Sequence, residues 1–172
     1  MLFEDETDLL LFPPLRAAWA LRGQTATVPL AGGNAKRVIF GTLNVGTGHR
    51  LFLPQLQQRG ENFRLFLEFV AWSYRGWHVG LVLDEDPCHT AGRSQQEAAN
   101  RGIALHWLPK RCPHLNPVDH LWRHGKQVVC ANRQHTSIEQ QTDAFLTYLD
   151  SLSPHEALHK AGVLSEDFWL HI

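Results

Sequence analysis

The chain has 172 residues, 44% hydrophobic and 19% charged, enough length and apolar material for one compact core and too much for a disordered segment. Sixteen Lys and Arg against seventeen Asp and Glu leave a formal charge of −1, so the totals exclude a uniformly basic nucleic-acid binder. No apolar run approaches the roughly 20 residues needed to span a bilayer. The acidic start, Glu4-Asp5-Glu6, is the reverse of a secretory leader. Three cysteines, Cys88, Cys112 and Cys130, show no C-x-x-C spacing and fit reduced thiols, so a cytoplasmic location is expected.

In chain order, Leu2 to Glu6 is the first strand expected. An irregular stretch follows, 7–29, broken by Pro13, Pro14, Gly23 and Pro29. The β-rich run Lys36 to Val45 and its shorter partner Arg50 to Pro54 flank Gly46-Thr47-Gly48 and predict a hairpin. Asn62 to Tyr74 carries Phe63, Phe66, Leu67, Val70 and Ala71 at helical spacing, with Asn62 as the expected cap. Val79 to Asp84 and Ile103 to Leu108 read as strands buried on both faces, joined through a helix from about Ala91 to Asn100. Pro109 to Pro117 is a proline-bounded loop, and Asn116-Pro117 supplies a cap and a first-turn proline for the next helix. Ser137 and Ser153 have Gln140 and Glu156 three residues on, the capping-box spacing. This order predicts an α/β domain with a mixed five-stranded sheet, three antiparallel strands then two parallel, flanked by helices. Residues 1–130 are expected to form the core and 131–172 a helical tail packed on or following it. Trp19, Trp107 and Trp122 sit in apolar contexts and are core candidates.

Three acids occupy telling places: Asp5 in the opening strand, Asp84 ending the first central strand, and Asp119 in the first turn after Pro117, with 34 residues between it and Asp84. Carboxylates at the ends of adjacent strands and on one helix can converge on hard cations such as Mg²⁺. Two such ions can activate an attacking oxygen and stabilise the leaving oxygen of a phosphodiester. Each acid also has a structural role open to it. Asp5 belongs to an acidic run with Glu4, Glu6 and Asp8, Asp84 can end a strand in a turn, and Asp119 suits the N-terminal dipole of its helix. Spacing alone leaves both readings standing.

The segment LVLDEDPCHTA, Leu81 to Ala91, resembles the signature around the second catalytic Asp of mariner-type transposases, in particular their bacterial insertion-sequence branch. LPKRCPHLNPVDHLWRHGK, Leu108 to Lys126, resembles their third motif, and FEDETDLLLFPPLRAAWALRGQ near the start resembles the first. The ending, AFLTYLDSLSPHEALHKAGVLSEDFW, is similar to the family's C-terminal tail. The resemblance implies an RNase H-like fold and a DDE/D catalytic core, with Asp5, Asp84 and Asp119 as the catalytic, metal-binding triad for two Mg²⁺ (or Mn²⁺) ions. It implies cleavage at transposon ends and strand transfer into target DNA, with DNA as the partner and a second copy or a full-length transposase as a protein partner. That family carries an N-terminal helix-turn-helix region, and this chain begins four residues before Asp5, so the region is expected to be absent. A truncated non-catalytic remnant, or the second product of a split gene that needs its upstream DNA-binding partner, is the alternative. The chain departs from the pattern at Asp119, where bacterial members most often have Glu, and at Glu85, where Asn is usual. Gly125 replaces an apolar residue, at an expected cost of about 1 kcal/mol relative to Ala.

Between Arg101 and His135, the cations Arg101, Lys110, Arg111, Arg123, Lys126 and Arg133 face Asp119 as the one acid. Such a patch beside the triad suits a polyanion. Lys110, Arg111, Asn116, Arg123 and Lys126 are expected DNA contacts, together with His89, which matches the family's His after the second Asp, where the resemblance implies that it orients active-site loops or the DNA backbone. His120 and His124, with Cys112, His114 and Cys130, are zinc-type ligands whose spacing matches no closed framework.

Overall fold

The computed structural model describes residues 1–30 and 32–170. Strand β1 (Leu2–Leu10) pairs antiparallel along its whole length with β2 (Lys36–Asn44), and β2 pairs antiparallel with β3 (Arg50–Gln55). Strand β4 (Val79–Leu83) lies parallel to β1, and β5 (Ile103–Trp107) lies parallel to β4. The sheet order is β3-β2-β1-β4-β5, the three antiparallel and two parallel strands read from the sequence. β1 runs four residues past its expected end, because Thr7 to Leu10 continue the ladder opposite Ile39 to Lys36.

Strand alternation splits the apolar residues between two cores, one on each face of the sheet. Leu2, Val38, Phe40, Leu81 and Leu83 meet Phe63, Phe66, Leu67 and Val70 of α1 (Gly60–Ser73) and Ala98 of α3 (Gly92–Asn100). On the other face, Phe3, Leu9, Ile39, Leu43 and Val82 meet Val118, Leu121 and Trp122 of α4 (Pro117–Gly125). Phe145 and Leu149 of α5 (Ile138–Ser151) and Ala157 of α6 (Pro154–Lys160) join that same cluster. Each fully buried Phe or Leu contributes roughly 1.5–3 kcal/mol relative to exposure, so both helical layers are held mainly by these faces.

Helix ends follow local chemistry closely. Asn116 Oδ1 accepts from the Val118 amide at 3.1 Å, heading α4 as expected. Ser153 and Glu156 close a complete capping box on α6. Ser137 caps α5 through the Gln140 amide, but the Gln140 side chain turns to the Thr136 amide and hydroxyl, leaving the box half made. Helix α1 starts earlier than expected, behind Arg59 with no side-chain cap, and Asn62 instead donates to Gln55 Oε1 at 2.6 Å. A single turn not expected from the sequence, α2 (Pro87–Thr90), is capped by Asp86, whose carboxylate accepts from the Cys88 amide at 2.8 Å.

Three expectations are corrected. β5 is the sheet edge rather than a strand buried on both faces, and Ala104, His106 and Trp107 along it are exposed. Of the three Trp core candidates only Trp122 is buried, since Trp19 lies fully exposed in the irregular run between β1 and β2. Gly125 is not a weak point in α4: a Cβ there would lie 2.8 Å from Phe145 Cε2 and 3.2 Å from Leu149 Cδ2, so glycine is what lets α4 and α5 pack this closely. Among the described residues no helix is long and apolar enough to cross a membrane.

Candidate active site

The site forms where β1 and β4 run side by side. Their parallel register, Leu2 with Leu81 and Phe3 with Val82, extends to place Asp5 beside Asp84, just past the end of β4. Helix α4 brings in the third acid. Asn116, 3% exposed, donates through Nδ2 to the Glu4 carbonyl at 2.7 Å while capping α4, so one side chain fastens the start of the helix to β1. Further along α4, Trp122 lies over Gly41, the residue paired with Asp5 across β1 and β2. The result is an open cavity of about 500 Å³ lined by Asp5, Asp84, Asp119, Glu6 and the loop from Leu108 to Cys112.

The acids differ in environment. Burial raises the Asp5 carboxyl well above the usual carboxylate range, and the neighbouring charges of Glu6, Asp119 and Asp84 raise it further. Asp84 is exposed at the cavity and is shifted the other way, chiefly because His89 donates to it. Asp119 is engaged by Arg123 one turn on, whose Nε donates to Oδ2 at 2.9 Å and whose terminal nitrogen donates to the same oxygen. Three mutually repelling carboxylates in one open cavity form an all-oxygen, hard donor set, which fits Mg²⁺ or Mn²⁺.

Behind the triad, on the opposite face of β1 from Asp5, lies a second layer. His89 on α2 is 1% exposed. Its Nδ1 donates to Asp84 Oδ1 at 3.0 Å and to the Asp84 carbonyl at 3.1 Å, and its Nε2 donates to Glu6 Oε1 at 2.9 Å. With acceptors at both nitrogens, the ring carries both protons. Burial opposes that charge, but the acids around the ring outweigh burial and shift it far upward. Glu4 Oε2 lies 3.5 Å from Nε2, yet neither Glu4 oxygen has a hydrogen-bond partner and the residue is 0% exposed. Burial, with the Glu6 charge, pushes the Glu4 carboxyl well above the usual carboxylate range. Reading the sequence did not single out Glu4 and Glu6 as part of the site. The signal present was two acids at i and i+2, on one face of the strand.

The expected DNA contacts divide. Lys110 and Arg111 line the cavity, with Lys110 Nζ 3.1 Å from Glu85 and Arg111 in a left-handed conformation, φ 60°. Strain of that kind collects at functional loops. Arg123 is exposed on α4 beside Asp119. His89 and Asn116 are buried, and their side chains are spent on hydrogen bonds that hold the site from within, although Asn116 also borders the cavity. Lys126 faces a separate recess lined by Asp8, Cys130 and Gln141, and burial lowers it from its usual value. The Cys and His residues around α4 do not gather. Cys130 is buried and accepts from Gln141, and His124 Nε2 sits 2.7 Å from the Tyr148 hydroxyl. Among the described residues, the grouping with metal-type ligand atoms close together is Glu6, Cys88 and His89.

Residues 1–142 match the family described as DDE superfamily endonuclease. An insertion element IS630 uncharacterized 39 kDa protein from Shigella sonnei is 27% identical over 154 residues, 88% of this chain and 45% of that protein. The Mos1 transposase paired-end complex with left transposon end superposes with a TM-score of 0.73 at 15% identity, covering 97% of this chain and 52% of that one. The catalytic domain of Mos1 mariner transposase gives 0.66 at 13% identity over 93% of this chain and 74% of that domain. The likeness shows the RNase H-like fold, and the chain spans about half the length of the insertion-element relative and the paired-end transposase.

Proposed function

The chain belongs to the family of DDE superfamily endonucleases, and on that premise we propose that it is the catalytic domain of a transposase that cuts DNA at transposon ends and joins the freed ends to target DNA. The observation that carries this reading is the meeting of Asp5, Asp84 and Asp119, from three separate elements, in one open cavity with Lys110 and Arg111 in its lining. Mos1 paired-end complexes with Mg and with Mn share this fold, which supports a divalent ion at the acids.

Asp5, Asp84 and Asp119 would hold two Mg²⁺ or Mn²⁺ ions, which when bound supply an activated oxygen nucleophile and charge stabilisation of the leaving oxygen. The protein's own part is placement, which dominates phosphoryl transfer. β1 and β4 fix Asp5 and Asp84 on rigid backbone, Asn116 and Trp122 fix the helix carrying Asp119, and Lys110 and Arg111 offer cations to the phosphates. Arg123 is placed to exchange Asp119 for a DNA phosphate once that carboxylate takes up an ion. The same proposal includes action in the cytoplasm, with a second copy or a longer transposase chain as protein partner.

Nicking of supercoiled plasmid in Mn²⁺ tests the reading. The native chain should produce nicked circles and Asp84→Ala should not. Equal nicking by both would remove the catalytic assignment, and cleavage indifferent to transposon-end sequence would make the protein a general nuclease.

A further inference from the structure

The carboxylate of Asp84 is held from one side only. Its Oδ1 accepts from His89 Nδ1 at 3.0 Å and from the Asp86 amide at 3.0 Å, while among the described residues no donor reaches Oδ2. The ring responsible is itself locked. Glu6 Oε1 takes its Nε2 at 2.9 Å, the Phe63 ring lies against it with centroids 4.5 Å apart, and α2 carrying it is capped by Asp86. Rotating His89 to release Oδ1 would break both hydrogen-bonded sides at once.

We propose that His89 is a positioning residue that leaves Asp84 a single free oxygen, Oδ2, and thereby biases the site toward a small octahedral cation over a larger one. This rests on the reading of the acids as a metal site. Mg²⁺ demands near-ideal octahedral geometry and keeps several waters, so one oxygen from each carboxylate suits it. Ca²⁺ takes six to eight oxygens and gains from carboxylates that bind through both. Engaging Oδ1 withdraws the two-oxygen mode from Asp84, so the cost of the clamp falls mainly on Ca²⁺. Glu6, facing away from Asp5 across β1, acts through His89 by holding its far nitrogen.

Binding rather than turnover tests this, with Mg²⁺ and Ca²⁺ titrated into the full chain by calorimetry and Mn²⁺ occupancy followed by electron paramagnetic resonance. His89→Gln reaches toward Glu6 but offers no donor to Asp84 Oδ1, whereas His89→Asn keeps an amide donor near the position of Nδ1. Partners of this kind typically change metal affinity by about 10–100-fold. The ratio of Ca²⁺ to Mg²⁺ affinity should therefore rise by about tenfold or more in His89→Gln and stay near native in His89→Asn. Glu6→Gln, which keeps the ring and loosens only its far side, should shift the ratio in the same direction by less, and it carries the test if the His89 variants do not melt cooperatively. An unchanged ratio in His89→Gln, or equal shifts in both His89 variants, overturns the proposal while leaving the metal site intact. Undiminished Mn²⁺ binding by Asp84→Asn would instead overturn the reading of the site, and this inference with it.

Discussion

Replacing Gly41 with alanine should destabilise the protein and impair the site, although alanine is intrinsically the better strand residue. Gly41 sits in β2 directly across from Asp5, and a Cβ there would lie 2.6 Å from Trp122 Cζ2 and 3.0 Å from Phe52 Cδ1. Ordinary contact needs about 3.5–4.0 Å, so the indole would have to retreat by about an ångström. It has nowhere to go: Trp122 is 2% exposed and packed between Phe52 and Phe145, with ring centroids 5.5 Å and 6.0 Å away. Overfilling a packed core costs about 1–3 kcal/mol, against about 0.5–1 kcal/mol gained from losing glycine's freedom. A net loss of about 1–2 kcal/mol remains, and at about 2–4 °C per kcal/mol for a domain of this size the Tm should fall by several degrees. If α4 absorbs the clash by tilting, Asp119, three residues before Trp122, moves with it, and a displacement near 1 Å can cost about 100-fold in rate. Thermal unfolding by circular dichroism and Mn²⁺-supported nicking read the two effects. Trp122→Phe supplies the control, because it removes the atoms that clash and the indole Nε1 has no hydrogen-bond partner to lose. The double variant should recover much of the stability that Gly41→Ala loses, with a coupling of about 1 kcal/mol or more. A Gly41→Ala protein as stable as native, or strictly additive effects in the double variant, would refute the packing argument.

The same logic applies to Gly125→Ala, where the helix-propensity gain of about 1 kcal/mol meets Phe145 Cε2 at 2.8 Å; denaturant unfolding should show a loss, and a clear stabilisation would contradict the close packing of α4 on α5. Asp5 titrates above its unfolded value, so the folded chain binds more protons than the unfolded one between those two pKa values. Metal-free stability therefore falls as pH rises through that window, and Asp5→Asn should raise the neutral-pH Tm while abolishing nicking. A lower Tm for Asp5→Asn would refute the strain assigned to that carboxylate. Asp84, shifted downward, has the opposite sign: its contribution is present above its unfolded value and lost as pH falls through the folded one, which the acid limb of the Tm profile of Asp84→Asn should lack. Burial pushes the Cys88 thiol up to about 12 and also raises Cys130, whereas Cys112 is half-buried in the cavity loop. A thiol reagent at neutral pH should therefore label one cysteine rapidly in the folded chain and three after unfolding, and fast labelling of Cys88 would contradict its enclosure.

Much of this protein was legible in its sequence because much of it is set locally. The hairpin turn at Gly46 to Gly48, the Asn116-Pro117 helix start and the Ser153 and Glu156 box depend on residues a few positions apart, and all three formed. The division into three antiparallel and two parallel strands followed from their succession, since antiparallel neighbours tolerate short turns and parallel ones need a crossover, but only the structure sets β4 beside β1. Asp5, Asp84 and Asp119 were candidates from motif context alone, and their shared cavity is a consequence of that order. What the sequence could not determine is which side of an element faces a neighbour distant in the chain. Nothing local distinguishes Trp122, locked over Gly41, from Trp19 and Trp107 in solvent, or marks β5 as an edge. His89 is expected at the DNA from its motif and Asn116 from its place beside the third acid; they are buried because Asp84, Glu6 and the Glu4 carbonyl satisfy their hydrogen bonds inside, and those partners are up to 112 residues away. Gly125 reads as a defect by propensity and is a requirement by packing. Local chemistry determined the elements and the acids, and only the tertiary structure decided what stands behind them, because burial and close approach are properties of pairs that the chain brings together from afar.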